Sequence, residues 1–223
     1  RHDFQISYDV GFNDEGRILA LNVAQFLRCG MSFDLSAAIA DRAMMHAENA
    51  YFVPDMRVTA SLCKTHTPSN TAFRGFGGPQ GIMGMERIID DVAATLGLDP
   101  LVIRQRNFYP DKGTSESGKP TPYGQPVTDC VIGQLVDRLS RDAHYQTRRL
   151  EIIKWNKDNP VLRRGIALTP VKFGISFNKT ILNQAGALVH IYTDGTIHLN
   201  HGGTEIIGRN IYKNLQKNNY IID

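Results

Sequence analysis

A glycine-rich stretch at residues 71–81 sets the main restriction on how this chain can fold, because it stands just before a predicted helix. Its four glycines let the backbone approach a neighbour where a β-carbon would clash. Pro79 suits the first helical turn, whose unpaired N–H groups attract anions. The stretch is typical of two structures: a tight turn that caps a helix, or a loop that binds an anion. Arg74, placed between Phe73 and Phe76, favours the loop, since a guanidinium binds phosphate, carboxylate or oxo groups.

The two common glycine-rich phosphate motifs do not match this stretch. A P-loop requires Gly-Lys-Ser/Thr after its spacer, and none follows. A dinucleotide fingerprint that starts at Gly75 and Gly77 requires Gly or Ala at position 80, where Gln80 stands. The stretch therefore argues against ordinary ATP or NAD binding by this chain.

The first half of the chain alternates between strand and helix patterns. Residues 4–28 alternate around a turn at 13–16, which predicts a β-hairpin. A short helix is predicted from a Ser36 cap to Met45, and a strand over 55–62. Apolar residues at three- and four-residue spacing predict a helix over 79–96 with a Gly97 C-cap, and Asp99 and Pro100 start a short helix that ends near Phe108.

The second half is predicted to contain a surface loop, one long helix and a second hairpin. The loop covers residues 111–125, and the helix runs from about 128 to 156. Its inward residues are predicted to be Leu135, Val136, Leu139, Ala143, Leu150 and Ile153. Residues 186–200 form the hairpin around Thr193-Asp194-Gly195. The fold class predicted is α+β, with hairpin-built mixed sheets and packed helices.

Composition excludes several kinds of protein. A net charge of +3, dispersed along the chain, gives no basic stripe for nucleic acid. Three cysteines are too few and too widely spaced for a disulfide framework or a zinc site. We find no membrane-length apolar run and no signal-peptide pattern, and the chain starts at Arg1 within strand-like sequence. These features predict part of a larger cytoplasmic protein that has no membrane or nucleic-acid partner.

Four blocks of sequence, in the expected order, point to a family. They are residues 41–51, residues 62–65 with 68–70, residues 73–80, and residues 172–177 with 183–189. Together they closely resemble the molybdenum-cofactor domain of xanthine dehydrogenases and aldehyde oxidases. The resemblance runs from residue 1 to Glu205 and favours a central fragment of a bacterial-type xanthine dehydrogenase large subunit. It implies two partial molybdopterin-binding subdomains, residues 1–157 and 158–223, the second with a divergent tail at 206–223.

The resemblance gives Arg42 a catalytic role. Arg42 matches the arginine that reaches into the substrate pocket, where it would hydrogen-bond a purine oxygen and stabilise the negative charge that builds on the ring. Without the family, an ion pair at a helix end, with Asp34, Asp41 or Glu48, would be the ordinary interpretation.

Further site residues also follow from the resemblance. Phe76 and Phe177 match the two aromatic residues that hold the substrate ring, although each alone would be taken as a core residue. Asn178 occupies a position where many relatives have a small hydroxyl residue, and it is a further expected substrate contact. Phe73, Arg74 and Gly75 match the loop that lies against the molybdenum centre. No side chain here is expected to ligate the metal, and His190, His198 and His201 suit cross-strand packing.

The implied reaction is hydroxylation of a purine such as hypoxanthine or xanthine, with a water-derived oxygen and with hydride transfer to a molybdenum-sulfido centre. The cofactor would be a molybdopterin-type molybdenum cofactor. We expect 2Fe-2S clusters, FAD and NAD on other domains or subunits, so the partners would be an iron-sulfur/FAD small subunit and the remainder of the large subunit.

The catalytic glutamate of the family lies outside the matched span, so the chain alone is expected to be inactive. Two alternatives stay open: a related aldehyde or N-heterocycle hydroxylase, and a non-catalytic anion-binding scaffold.

Overall fold

The first part of the chain contains a three-stranded sheet. The computed structural model describes residues 1–174, 178 and 186–201. β1 (Phe4–Phe12) pairs antiparallel with β2 (Ile18–Gly30), and β2 pairs parallel with β3 (Asp55–Lys64). Inward and exposed residues alternate along β1 because successive side chains point to opposite faces of a sheet. The predicted hairpin and the predicted strand at 55–62 are confirmed.

Helix α1 (Ser36–Met45) lies between β2 and β3 in the chain. The helix itself is confirmed, but its predicted Ser36 cap is wrong, since Leu35 occupies the N-cap position. The Ser36 hydroxyl is instead 2.7 Å from His2 Nε2, and both residues are buried. A long-range partner thus takes the hydroxyl that the local pattern assigned to a cap.

Helices α2 (Gly78–Leu96) and α3 (Pro100–Asn107) are confirmed with the predicted signals at their ends. Gly97 ends α2 in the left-handed region at φ 65°. The Asp99 carboxylate caps α3 by accepting the Leu101 N–H at 2.8 Å. The apolar face of α2 packs on the sheet, in a core that is formed by Ile18, Leu21, Val23, Tyr51, Val53, Met85, Ile88, Ile89, Val92, Ala93 and Ile103.

The predicted long helix is wrong, because two helices replace it: α4 (Ile132–Asp142) and α5 (Tyr145–Asp158). The chain breaks at His144, whose φ is 49°. The break lets Tyr145 bury its ring and donate its hydroxyl to the Asp99 carboxylate at 3.2 Å. A tertiary contact therefore overrides helix continuity. Of the six residues predicted to point inward, only Val136 is buried, while four are exposed, namely Leu135, Leu139, Leu150 and Ile153.

The chain divides into two compact units, residues 1–173 and 174–223. In the second unit β4 (Ala187–Ile191) and β5 (Ile197–His201) form the predicted hairpin. His190 and His198 face each other across it, which suits their predicted packing role. The α+β fold class is confirmed, and the subdomain boundary at 157/158 stays a prediction. None of the helices described combines the length and apolarity needed to span a membrane.

Helices α1 and α2 cross at very close range because glycines at the N-cap and in the first turn of α2 face α1. A β-carbon on Gly77 would lie 2.1 Å from the carbonyl oxygen of Ile39, and one on Gly81 would lie 2.3 Å from that of Ala43. Since real β-carbons do not approach backbone oxygens this closely, only glycine fits at either position. Two of the four glycines in the 71–81 stretch therefore contact a helix of the same chain.

A buried polar network ties α2 to α3 and to the turn after α1. The Glu86 carboxylate accepts hydrogen bonds from Arg104 Nε at 2.7 Å, the Tyr51 hydroxyl at 2.6 Å and Asn49 Nδ2 at 2.8 Å. Arg104 also reaches Asp90 at 2.9 Å. A buried charge is tolerated only when it is paired and hydrogen-bonded. Since displacing any of these elements would leave a buried group without its partner, the network holds α2, α3 and the turn in one arrangement.

The close crossing predicts a specific sensitivity to one methyl group. Gly81→Ala is expected to destabilise the protein by about 2–3 kcal/mol, because the new β-carbon collides with the Ala43 carbonyl despite the better helix propensity of alanine. Gly84→Ala in the same helix is the control, since its β-carbon would meet only the flexible end of Ile6. Denaturant unfolding of both variants measures the difference. Equal stabilities would contradict the steric account.

Candidate functional site

Arg42 lies in the last turn of α1 and is only 4% exposed. Burial lowers the pKa of its guanidinium, since a charge loses hydration inside a protein. Its terminal carbon is 5.4 Å from the centre of the Phe173 ring, which is within cation–π range. Glu48, one of the carboxylates considered as its partner, is bonded by Lys172. The chain thus holds a guanidinium inside the protein, where water screens its charge less than at the surface.

His46 stands one helical turn after Arg42 and shares its environment. His46 Nδ1 is 2.8 Å from the Arg42 carbonyl oxygen, and its ring centre is 4.9 Å from that of Phe173. Burial lowers the pKa of His46, and the positive charges of Arg42 and Lys172 lower it further. We refer to Arg42, His46 and Phe173 as the Arg42 cluster.

The N-terminus of α2 touches the same cluster. A β-carbon on Gly78 would lie 2.5 Å from Phe173 Cε2, so this glycine admits the phenyl ring. The Gly78 N–H donates to the Gly75 carbonyl at 2.9 Å, and no side chain caps the helix. Phe173 therefore contacts both the glycine stretch and Arg42.

Phe76 belongs to the tight turns that precede α2. Its N–H donates to the Phe73 carbonyl at 2.8 Å, and its φ of 52° lies in the left-handed region, which is uncommon for a side-chain-bearing residue. Its half-buried ring packs against a small core of Leu27, Cys29, Ile39 and Ala40. Since Ile39 is three residues before Arg42 on α1, Phe76 packs about one helical turn before Arg42 along that helix.

Phe73 and Arg74 lie at the surface beside the N-terminus of the chain. The Arg1 guanidinium stacks 4.4 Å from the centre of the Phe73 ring and donates to the Arg74 carbonyl at 2.8 Å. The Arg74 side chain is exposed. Arg74 and Arg42 thus differ in setting, because one faces solvent and the other is enclosed.

Two of the expected substrate contacts lie after the first unit. Phe177 is outside the described residues, and Asn178 is half-buried in the second unit. Both stay predictions. His46 and Phe173 have no role among the sequence-based expectations, although each lies inside a block that resembles the family. Their membership in those blocks was the one signal available, since spacing alone does not connect residues 46 and 173.

The residues around the start of α2 fit a polyanionic pterin cofactor. Arg74, the residue after Phe73, offers an exposed side chain, and α2 offers a helix N-terminus without a side-chain cap. Gln80 Oε1 is buried with no hydrogen-bond partner among the described residues, so it is available to accept from a ligand N–H group. In the described part of the chain, no group of three or more His, Cys, Asp or Glu side chains is arranged to hold a metal ion.

Comparison with known proteins gives consistent matches. Two models of a molybdopterin cofactor-binding domain match residues 1–108 and 138–209. Xanthine dehydrogenase/oxidase of Mus musculus is 45% identical over 206 residues, and nicotinate hydroxylase hnxS of Emericella nidulans is 44% identical over 214 residues. These matches cover 92% and 95% of this chain, which spans 15% of the length of each relative.

A solved structure supports the fold. The aldehyde oxidoreductase of Desulfovibrio gigas matches with a TM-score of 0.64 and 20% sequence identity, over 89% of this chain and 21% of that chain. At this level of identity the likeness concerns the fold, which is the α+β arrangement predicted from the sequence.

The buried state of His46 predicts an acid-sensitive fold. Its folded pKa lies below the ordinary value of 6.5, so the stability that neutral His46 contributes is complete above that pH and is lost as the pH falls through the folded pKa. His46→Gln is expected to reduce the loss of stability on acidification below about pH 6.5. Thermal unfolding across this range measures the slope. His66→Gln, at an exposed position, should keep the wild-type slope, and an equal slope in all three proteins would contradict the assignment.

Proposed function

Because the chain belongs to the xanthine dehydrogenase/aldehyde oxidase family, as part of its molybdenum-cofactor-binding region, we propose that it forms part of a molybdenum hydroxylase that oxidises purines. The observation that carries the proposal is the buried Arg42 guanidinium. It contacts the Phe173 ring, and the same ring packs against Gly78 at the start of α2. A buried cation at such a position suits a heterocyclic substrate that carries a carbonyl oxygen on which negative charge develops.

In this proposal the cofactor is held by Phe73, Arg74 and Gly75, with Gln80 as an additional acceptor. When bound, it supplies the two-electron oxidation that adds a water-derived oxygen to the substrate carbon and removes hydride. Arg74 donates to its anionic groups from the protein surface. The chain's own contribution is to orient both ligands and to exclude water between them.

Arg42 is proposed to bind a purine oxygen and to stabilise the negative charge that appears on the ring during attack. Because Arg42 sits in a low-dielectric setting, its charge acts on the substrate more strongly than it would in water. Phe76 supplies an aromatic surface for the ring, and Phe177 and Asn178 are proposed as further contacts. The general base would come from another part of the enzyme, as would the iron-sulfur clusters and the flavin.

A second candidate is the hydroxylation of another N-heterocycle. The relative named nicotinate hydroxylase is 44% identical over 95% of the chain, which is nearly the value of the mouse xanthine dehydrogenase/oxidase. A carboxylated pyridine would also place an anionic group near Arg42. The two candidates are separated by the preferred substrate of the intact enzyme.

Substitution of Arg42 tests the assignment. In the intact enzyme Arg42→Met is expected to lower kcat/KM for xanthine by about 100-fold or more, because stabilisation of the transition-state charge is lost. Oxidation of a simple aldehyde, which has no second oxygen for Arg42, should change little. Arg28→Met, which removes an exposed arginine paired with Asp3, is the control. Equal losses for xanthine and the aldehyde, or no loss, would contradict the role of Arg42.

The isolated 223-residue chain provides a separate test. We expect it to show no purine hydroxylation and no stoichiometric molybdenum, since the general base and other cofactor contacts are proposed to lie elsewhere. Metal analysis and a purine oxidation assay of the purified chain measure this directly. Turnover by this chain alone would show that all catalytic groups lie within it.

A further inference from the structure

Asn49 connects the turn after α1 to a distant segment of the chain. Its side chain donates from Nδ2 to the Pro170 carbonyl at 2.9 Å and accepts the Lys172 N–H on Oδ1 at 3.0 Å. Asn49 is fully buried, and its φ is 48°, a conformation that asparagine tolerates better than most residues. One amide side chain therefore holds the backbone on both sides of residue 171.

Glu48 makes a second connection to the same segment. Its carboxylate pairs with Lys172 Nζ, while the Glu48 side chain is 1% exposed and that of Lys172 is 26% exposed. Because the pair is largely removed from solvent, dissolved salt screens it weakly. Loss of one partner would leave an uncompensated buried charge. Lys172 Nζ also lies 5.2 Å from the centre of the Tyr109 ring. The segment 170–172 is thus held by backbone hydrogen bonds and by charge.

The turn itself cannot move easily, because the Glu86 network holds it from the other side. Asn49 Nδ2 donates to Glu86 Oε1 as well as to Pro170, and Glu86 is bonded by the buried Arg104. The chain 170–172 is described without regular secondary structure. Its position therefore depends on side-chain contacts rather than on a strand or helix of its own.

Phe173 follows this segment directly and contacts Arg42, His46 and the start of α2. We propose that Glu48 and Asn49 are positioning residues: they clamp residues 170–172, so that Phe173 closes over the Arg42 guanidinium and fixes its direction. The inference rests on the proposed role of Arg42 toward substrate. A long arginine side chain has many rotamers, so its precise placement requires a packed neighbour of this kind.

The clamp can be tested without turnover, through the reactivity of Arg42 toward phenylglyoxal. In the cofactor-free intact protein Glu48→Gln and Asn49→Gly are expected to raise the modification rate of Arg42 about fivefold, because release of residues 170–172 uncovers the guanidinium. Glycine tolerates the positive φ of residue 49, so Asn49→Gly removes the side-chain contacts with Pro170, Lys172 and Glu86 without straining the backbone. Glu116→Gln, which weakens the exposed Glu116–Lys119 pair, is the matched control and should keep the wild-type rate.

Mass spectrometry of the peptide that contains Arg42 measures the rate, and amide exchange in β2 reports on the fold as a whole. Unchanged Arg42 reactivity in both variants would overturn the inference, as would a rise that is matched by equally faster exchange throughout β2. In the holoenzyme Glu48→Gln should lower kcat about tenfold at equal cofactor content. Faster modification of Arg42 with an unchanged kcat would also overturn the inference.

If the substrate proves not to be a purine, the modification rates of Arg42 still decide whether the clamp exists.

Discussion

The close crossing of α1 and α2 is the contact on which the rest of the first unit depends. Gly77 at the N-cap of α2 and Gly81 in its first turn lie so near carbonyl oxygens of α1 that neither position has room for a β-carbon. This contact sets the position of the last turn of α1, and so of Arg42 and His46. It also brings the N-terminus of α2 to Phe173. A glycine-rich stretch with the composition of a ligand loop thus has a structural role first, and the proposed ligand site is built on the arrangement it permits.

The polar network around Glu86 extends this arrangement to the rest of the unit. Three donor residues, two from the turn after α1 and one from α3, converge on one carboxylate, and each of them is buried. Such networks specify one arrangement when every member is satisfied, since a displaced donor would stay buried and unpaired. Through Asn49 the network reaches the segment before Phe173. The α1–α2 crossing therefore fixes the position of Arg42, and the hydrogen bonds of Asn49 fix the segment that leads to Phe173.

Local patterns predicted the elements whose signals are local. The first hairpin, α2 with its Gly97 cap and α3 with its Asp99 cap are all marked by neighbouring residues, and each is confirmed. The single helix over 128–156 failed because Tyr145 meets Asp99, a partner 46 positions away that no periodicity shows. Likewise, residues 46 and 173 share no spacing, so their contact with Arg42 required the folded chain. The family resemblance supplied Arg42, and only the structure supplied the residues that hold it.

The most direct test of the account is a crystal structure of the intact enzyme with a purine bound. We expect a purine oxygen within hydrogen-bonding distance of the Arg42 guanidinium, with the ring in contact with Phe76 and with Phe173 still packed against the arginine. A purine bound out of reach of Arg42, with that guanidinium directed away from the ligand, would contradict the central claim that α1 presents this cation to the substrate.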